Sequence, residues 1–160
     1  MIGHTVQAFS SDKESLNGKN LKLDLTRILR GRSVEANLIT VFKDGKLEAG
    51  FVSLKVLPSY IRRMMRKNIS WIEDSFSCSS KDKKLLVKPF MITKKRVHRS
   101  VRKKLRDETK ELITSFAAGK NAEEVFEATI KGNLQKDLTI RLRKIYPLAF
   151  FEIRILKIKN

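Results

Sequence analysis

Lys84–Gly119 reads KLLVKPFMITKKRVHRSVRKKLRDETKELITSFAAG, and its hydrophobic period changes part-way along. In the first section Leu86, Lys88, Phe90 and Ile92 oppose Leu85, Val87 and Met91, which is the period-two pattern of a strand. Pro89 inside that pattern predicts an edge position or a bulge, because proline has no N–H to give to a ladder. After Val97 the period becomes 3.6. Val101, Leu105, Leu112, Ile113 and Phe116 make one stripe, and Gly119 closes the helix. Lys94, Lys95 and Arg96 are therefore expected to finish a strand, and His98 onward to begin a helix. This junction carries Lys94, Lys95, Arg96, Arg99, Arg102, Lys103 and Arg106, with no acidic residue from Lys94 to Arg106. A helix that is merely solvated usually interleaves glutamate for i,i+4 pairing. Like charge at this density costs stability unless a polyanion neutralises it.

The segments before the junction supply strands. Pro58 suits the first turn of a helix. In Tyr60–Lys67, Ile61, Met64 and Met65 share a face while Arg62, Arg63 and Arg66 lie off it, and with Lys67 they form a second basic cluster. Ser70–Ser79 reads as an extended partner for Lys84–Lys95 through the turn Ser80–Lys83. Earlier still, Val34–Phe42 and Leu47–Leu57 flank Asp44-Gly45, the two-residue signal for a type I′ hairpin. Asn20–Leu25 alternates as a half-buried strand, His4–Gln7 gives a weak strand signal, and Arg27–Arg32 reads as a basic connection closed by Gly31.

Beyond Gly119 the pattern stays helical and then reverts. Asn121 with Glu124 three residues on predicts a capping box for a helix through Val125, Phe126 and Ile130 that stops at Gly132. A further helix is expected from about Leu134 to Ile145. Tyr146-Pro147 breaks it, and Ala149–Ile158 reads as a closing strand with Phe151, Ile153 and Ile155 on one face. Strands with a segregated helical section define an α+β fold over a single domain, residues 1–160. The expected form is a curled antiparallel sheet or distorted barrel with a short inserted helix, three packed C-terminal helices and a final strand.

Composition points to the partner. The 160 residues carry a formal charge of +18, and residues 58–106 alone hold 16 basic and 3 acidic side chains, a net of +13. A charge so concentrated implies a polyanion, with nucleic acid ahead of an anionic membrane surface. The single Cys78 cannot form an intramolecular disulfide, and two histidines leave no zinc set. No stretch approaches the roughly 20 apolar residues of a membrane span. A soluble, cytoplasmic protein is expected.

Catalysis finds no footing. His4 and His98 lie far apart in the chain, and His98 sits within the basic run, where contact with phosphate or solvent suits it better than proton transfer. Cys78 alternates with Phe76 and reads as a small core residue. Glu73 and Asp74 are adjacent in a strand and so point to opposite faces. No glycine loop cradles a phosphate, and no cofactor is implied. Trp71, Tyr60 and Phe76 sit among apolar neighbours and read as core rather than as platforms for bases. Without the patterns of modular RNA readers, recognition by shape and phosphate is expected.

Four segments in register carry a family likeness: Ile2-Gly3-His4-Thr5, Tyr60–Lys67, Lys88–Thr93, and Lys144–Leu148 with the closing strand to Lys157. In order along nearly the whole chain, they resemble the archaeal and eukaryotic small-subunit ribosomal protein S-one-e, formerly S-three-a. The resemblance implies a distorted barrel-like domain on the platform of the small subunit near the mRNA exit. It implies small-subunit rRNA and neighbouring ribosomal proteins as partners, mRNA near the exit as a further one, and no catalytic role. No membrane and no homo-oligomer are expected. The basic N-terminal arm with which the family usually begins has no counterpart in this sequence, which is expected of a truncated or reduced form or of one in which the arm's contacts are dispensable. The long C-terminal extension of eukaryotic members has none either, which favours a short, archaeal-type form. The rival reading is an RNA-binding or chaperone-like module working off the ribosome.

Overall fold

The computed structural model describes residues 16–29, 31–43 and 46–159. Within them the chain runs β1 (Asn20–Asp24), β2 (Val34–Lys43), β3 (Lys46–Val56), α1 (Pro58–Met64), β4 (Trp71–Glu73), β5 (Phe76–Ser79) and β6 (Lys84–Thr93). It continues through α2 (Arg99–Ala118), α3 (Ala122–Lys131), α4 (Asn133–Leu142) and β7 (Leu148–Lys159). The architecture is α+β, as the alternation of periods predicts. Among the described residues all strand pairs are antiparallel, and the order β1-β2-β3-β7-β6-β4 is an open path that does not close into a barrel. The last strand, β7, lies between β3 and β6 and so joins the two halves of the sheet.

Lys43 pairs with Lys46, which leaves two residues for the β2–β3 turn, the length that Asp-Gly signals. Asp44 and Gly45 themselves, the expected strand at His4–Gln7 and the segment Ile2–Thr5 lie outside the described residues.

β6 is not at an edge. It has β7 on one side and both β4 and β5 on the other, and from Pro89 to Thr93 every residue is buried. Pro89 is accommodated by a bulge: Lys88 pairs with Ile155 but Pro89 with Ile153, leaving Arg154 over. On its other side β4 pairs at Phe90–Ile92 and β5 at Lys84–Val87, so the segment opposite Lys88 and Pro89 is unpaired. The single strand expected over Ser70–Ser79 is thus two short ones that keep one register along β6.

α2 packs against this region. Its buried residues Leu105, Thr109, Ile113 and Ala117 recur at i+4, flanked by the half-buried Val101, Leu112 and Phe116. Thr109 belongs to the stripe because its hydroxyl is satisfied by the Leu105 carbonyl at 2.6 Å, with Met91 Sδ at 3.4 Å.

The capping box does not form, since Asn121 makes no side-chain cap hydrogen bond. Instead Asp82 in the β5–β6 turn accepts from the Ala122 N–H at 2.8 Å, and the Lys81 N–H donates to the Lys120 carbonyl. A distant carboxylate thus caps α3 and ties the turn to the α2–α3 connection. Gly132, at φ +78, gives the left-handed residue that ends α3 and starts α4.

Arg32 is not a surface cation of a basic connection. It donates to both Glu152 oxygens and to the carbonyls of Ile130 and Thr129, while the Gln135 amide also donates to Glu152 and to Thr129. This ties the β1–β2 connection, the α3–α4 junction and β7 together. α1 lies on the sheet through Tyr60, whose ring meets Phe150 edge-on at 5.8 Å, and Phe150 meets Phe90 likewise at 6.3 Å.

Candidate nucleic-acid interface

β6 ends at Thr93, so Lys94, Lys95 and Arg96 form a loop and do not finish a strand as the sequence suggests. The buried Thr93 hydroxyl lies 2.7 Å from the Lys95 carbonyl and turns the chain there. α1 is likewise shorter than its sequence pattern: Met65 is extended and Asn68 adopts φ +61, which puts Arg66 and Lys67 in a connection.

Ser70 brings these two basic loops together. Its N–H donates to Thr93 Oγ1 at 3.2 Å, and its carbonyl accepts from the Thr93 N–H and lies 3.0 Å from the Thr93 hydroxyl. Its own hydroxyl accepts from the Val97 N–H at 3.2 Å. The segment after Arg66-Lys67 is thereby fixed against the segment Lys94–Arg96. Arg62 and Arg63 stand one turn back, in the last turn of α1.

Ten of the eleven expected site residues are exposed: Arg62, Arg63, Arg66, Lys67, Lys94, Lys95, Arg96, Arg99, Lys103 and Arg106. Arg63 is partly engaged already, its guanidinium 5.5 Å from the Tyr60 ring centre and its Nη2 3.4 Å from Ser33 Oγ. Arg102 differs. It is half-buried, and its Nε is enclosed with no hydrogen-bond partner among the described residues.

At 3.6 residues per turn Arg99, Arg102, Lys103 and Arg106 fall on one flank of α2, with Lys110 continuing it, while Asp107, Glu108 and Glu111 fall to the other side. The positive flank starts at the end of the helix where the peptide dipoles are also positive. The first turn holds no acid, and His98 at the N-cap makes no side-chain cap hydrogen bond. Cations there raise the helix energy and an anion lowers it.

The sequence reading missed two contributors. The Lys94 N–H donates to the Pro147 carbonyl at 3.4 Å, which sets the α4–β7 connection beside the basic loop. Arg141 lies in the last turn of α4 just before that connection and Arg143 and Lys144 lie within it, all exposed. The signal was an acid-free run of three cations in four residues. The second is Trp71, expected in the core but 56% exposed, whereas Tyr60 and Phe76 are buried.

Among the described residues nothing in the interior competes with this surface as a chemical centre. The Cys78 thiol is buried and pushed up by desolvation, hence unreactive. Glu73 is held by Arg154 at 3.0 Å. Among the described residues no cluster of His, Cys, Asp or Glu could hold a metal, and no helix is long and apolar enough to cross a membrane.

The model of the Ribosomal S3Ae family matches residues 1–160. The chain belongs to that family. Among similar proteins is the small ribosomal subunit protein eS1 of Methanothermobacter thermautotrophicus, 32% identical over 104 residues, 64% of this chain and 53% of that protein. The protein of the same name from Nanoarchaeum equitans is 26% identical over 147 residues, covering 88% of this chain and 74% of its own length. That from Methanoculleus marisnigri is 25% identical over 159 residues, covering 96% and 80%. The match thus spans about half of the first relative and about three quarters or more of the other two. These S3Ae relatives are archaeal, which agrees with the resemblance drawn from the four segments.

Proposed function

We propose that this S3Ae-family chain is a structural constituent of the small ribosomal subunit that binds rRNA backbone through one basic surface. The surface comprises Arg62, Arg63, Arg66 and Lys67, the loop Lys94–Arg96, and Arg99, Arg102, Lys103 and Arg106 on α2. The observation that carries the reading is the Ser70–Thr93 connection, which holds two acid-free basic loops at a fixed spacing. Fixed cations suit a fixed array of phosphates, and a flexible tail would not need such a lock. The relatives' names support the particle. In this reading the chain folds as one domain, sits on the platform near the mRNA exit, touches neighbouring ribosomal proteins and, near the exit, mRNA, and has no catalytic role.

Sedimentation tests it. The chain should comigrate with small subunits at moderate salt and be released as salt rises. Remaining wholly at the top of the gradient would overturn the ribosomal assignment, and RNA binding in that same fraction would point to a module working off the ribosome.

A further inference from the structure

Trp71 is the one tryptophan of the chain and is more exposed than any other aromatic side chain among the described residues. A tryptophan left open to water at the end of a strand gives up much of the burial free energy that a ring of its size could gain. Its position is fixed. It directly follows Ser70, whose backbone and hydroxyl are held by Thr93 and Val97. Its cross-strand partner is Ile92, whose own partner across the next ladder is Phe150, and Tyr60 of α1 packs on Phe150. Directly opposed residues share a sheet face, so Trp71 emerges on the face that carries α1 and its arginines.

The chemistry beside Trp71 is cationic. Arg66 and Lys67 precede it by a few residues, and Lys94–Arg96 lie across the Ser70 lock. The nearest acid along the same strand, Glu73, is neutralised by Arg154. An aromatic face among cations on a rigid edge matches an unpaired base, whose ring stacks while the neighbouring phosphates meet the lysines and arginines.

We infer that Trp71 is a stacking platform for an unpaired base of the bound RNA, flanked by phosphate contacts from Arg66, Lys67 and the Lys94–Arg96 loop. The basic surface therefore reads a single-stranded element as well as duplex backbone. This inference rests on the polyanion reading above.

Because Trp71 is the sole tryptophan, its emission reports on it alone. The full chain is titrated with an RNA hairpin bearing an unpaired loop, with a fully paired RNA duplex and with heparin, while binding is followed separately by gel shift. The expected result is quenching by the hairpin, with little change for the duplex or heparin when these are bound. Trp71→Ala should weaken the hairpin by roughly 5- to 100-fold and the duplex by less than about 3-fold, and Trp71→Phe should retain most of the affinity. Hairpin binding with unchanged emission, or equal losses for hairpin and duplex in a variant whose circular dichroism is native, would overturn the stacking role and leave the basic surface standing. Failure of every RNA to bind would bring down the polyanion reading and the stacking role with it.

Discussion

The Arg32 guanidinium grips the Glu152 carboxylate with two hydrogen bonds, Nε to Oε2 at 3.1 Å and Nη2 to Oε1 at 2.7 Å. Both side chains are largely enclosed, 21% and 6% exposed, so water does little to screen either charge. Glu152→Ala should therefore strand a desolvated cation, and by comparison with broken buried pairs should cost about 3–5 kcal/mol in urea unfolding. RNA affinity of the folded fraction should stay unchanged, because both side chains are largely enclosed and their hydrogen bonds are spent within the fold. A loss below about 1 kcal/mol would mean that water relieves the pair in solution.

Gly132 stands beside the same guanidinium. At φ +78 it occupies the left-handed region, and a Cβ added there would lie 3.4 Å from Arg32 Nη1. Gly132→Ala should cost about 1–2 kcal/mol through backbone strain, with a further increment if Arg32 has to shift. Thermal unfolding of the variant checks this. An unchanged melting temperature would show that the α3–α4 junction can adopt another turn.

Asp82 makes a prediction about pH. Its carboxyl is held below the ordinary aspartate value first by the Ala122 N–H, against a smaller opposing effect of burial, with help from the Ser80 hydroxyl. A folded value below the unfolded one stabilises the protein fully above the unfolded value, and the contribution is lost as pH falls through the folded one. Asp82→Ala should cost about 1 kcal/mol at neutral pH, and the gap between variant and parent should close below roughly pH 4. Urea titrations at several pH values test the sign as well as the size. A gap that persisted into acid would assign the effect to packing.

The fold was legible wherever hydrophobic period and turn chemistry acted locally. The switch from period two to 3.6 after Val97, the two-residue gap between Lys43 and Lys46 and the left-handed stop at Gly132 all lie within a few residues of their causes. What escaped was long-range. The Asn121 capping box lost to Asp82, 40 residues away, and Pro89 found its bulge only because β7 could leave Arg154 unpaired. The same limit governs the candidate site. Charge alone nominated its lysines and arginines, but their assembly depends on Ser70 and Thr93, small polar residues with no pattern of their own. Trp71 was misread because apolar neighbours in sequence do not show that a strand lies at an edge.

The exposed flank of α2 should carry RNA affinity with little effect on stability. Arg99, Lys103 and Arg106 are exposed and lie off the buried stripe. Replacing all three with alanine should make the dependence of log K on log salt shallower by about 2–3, since each neutralised phosphate releases a condensed counterion. The melting temperature should hold or rise slightly as repulsion is relieved. Arg102 is left out because its half-buried side chain would mix a packing loss into the result. An unaltered salt slope would remove this flank from the interface.

The lock between the basic loops can be opened with a single change. Thr93→Val keeps the shape of the buried side chain and the backbone bond from the Thr93 N–H to the Ser70 carbonyl. It removes the acceptor of the Ser70 N–H and the hydroxyl proton shared between the carbonyls of Ser70 and Lys95. Leaving that N–H unsatisfied should cost about 1–3 kcal/mol. If fixed spacing of Arg66-Lys67 against Lys94–Arg96 matters for RNA, affinity should also fall, though no cation has been touched. The salt slope separates this from a change in phosphate contacts: with every lysine and arginine still present, the slope should stay near the parent value while the affinity drops. Parent-like affinity in a measurably destabilised Thr93→Val variant would show that the loops bind independently, and the Ser70–Thr93 connection would then be a device of folding alone.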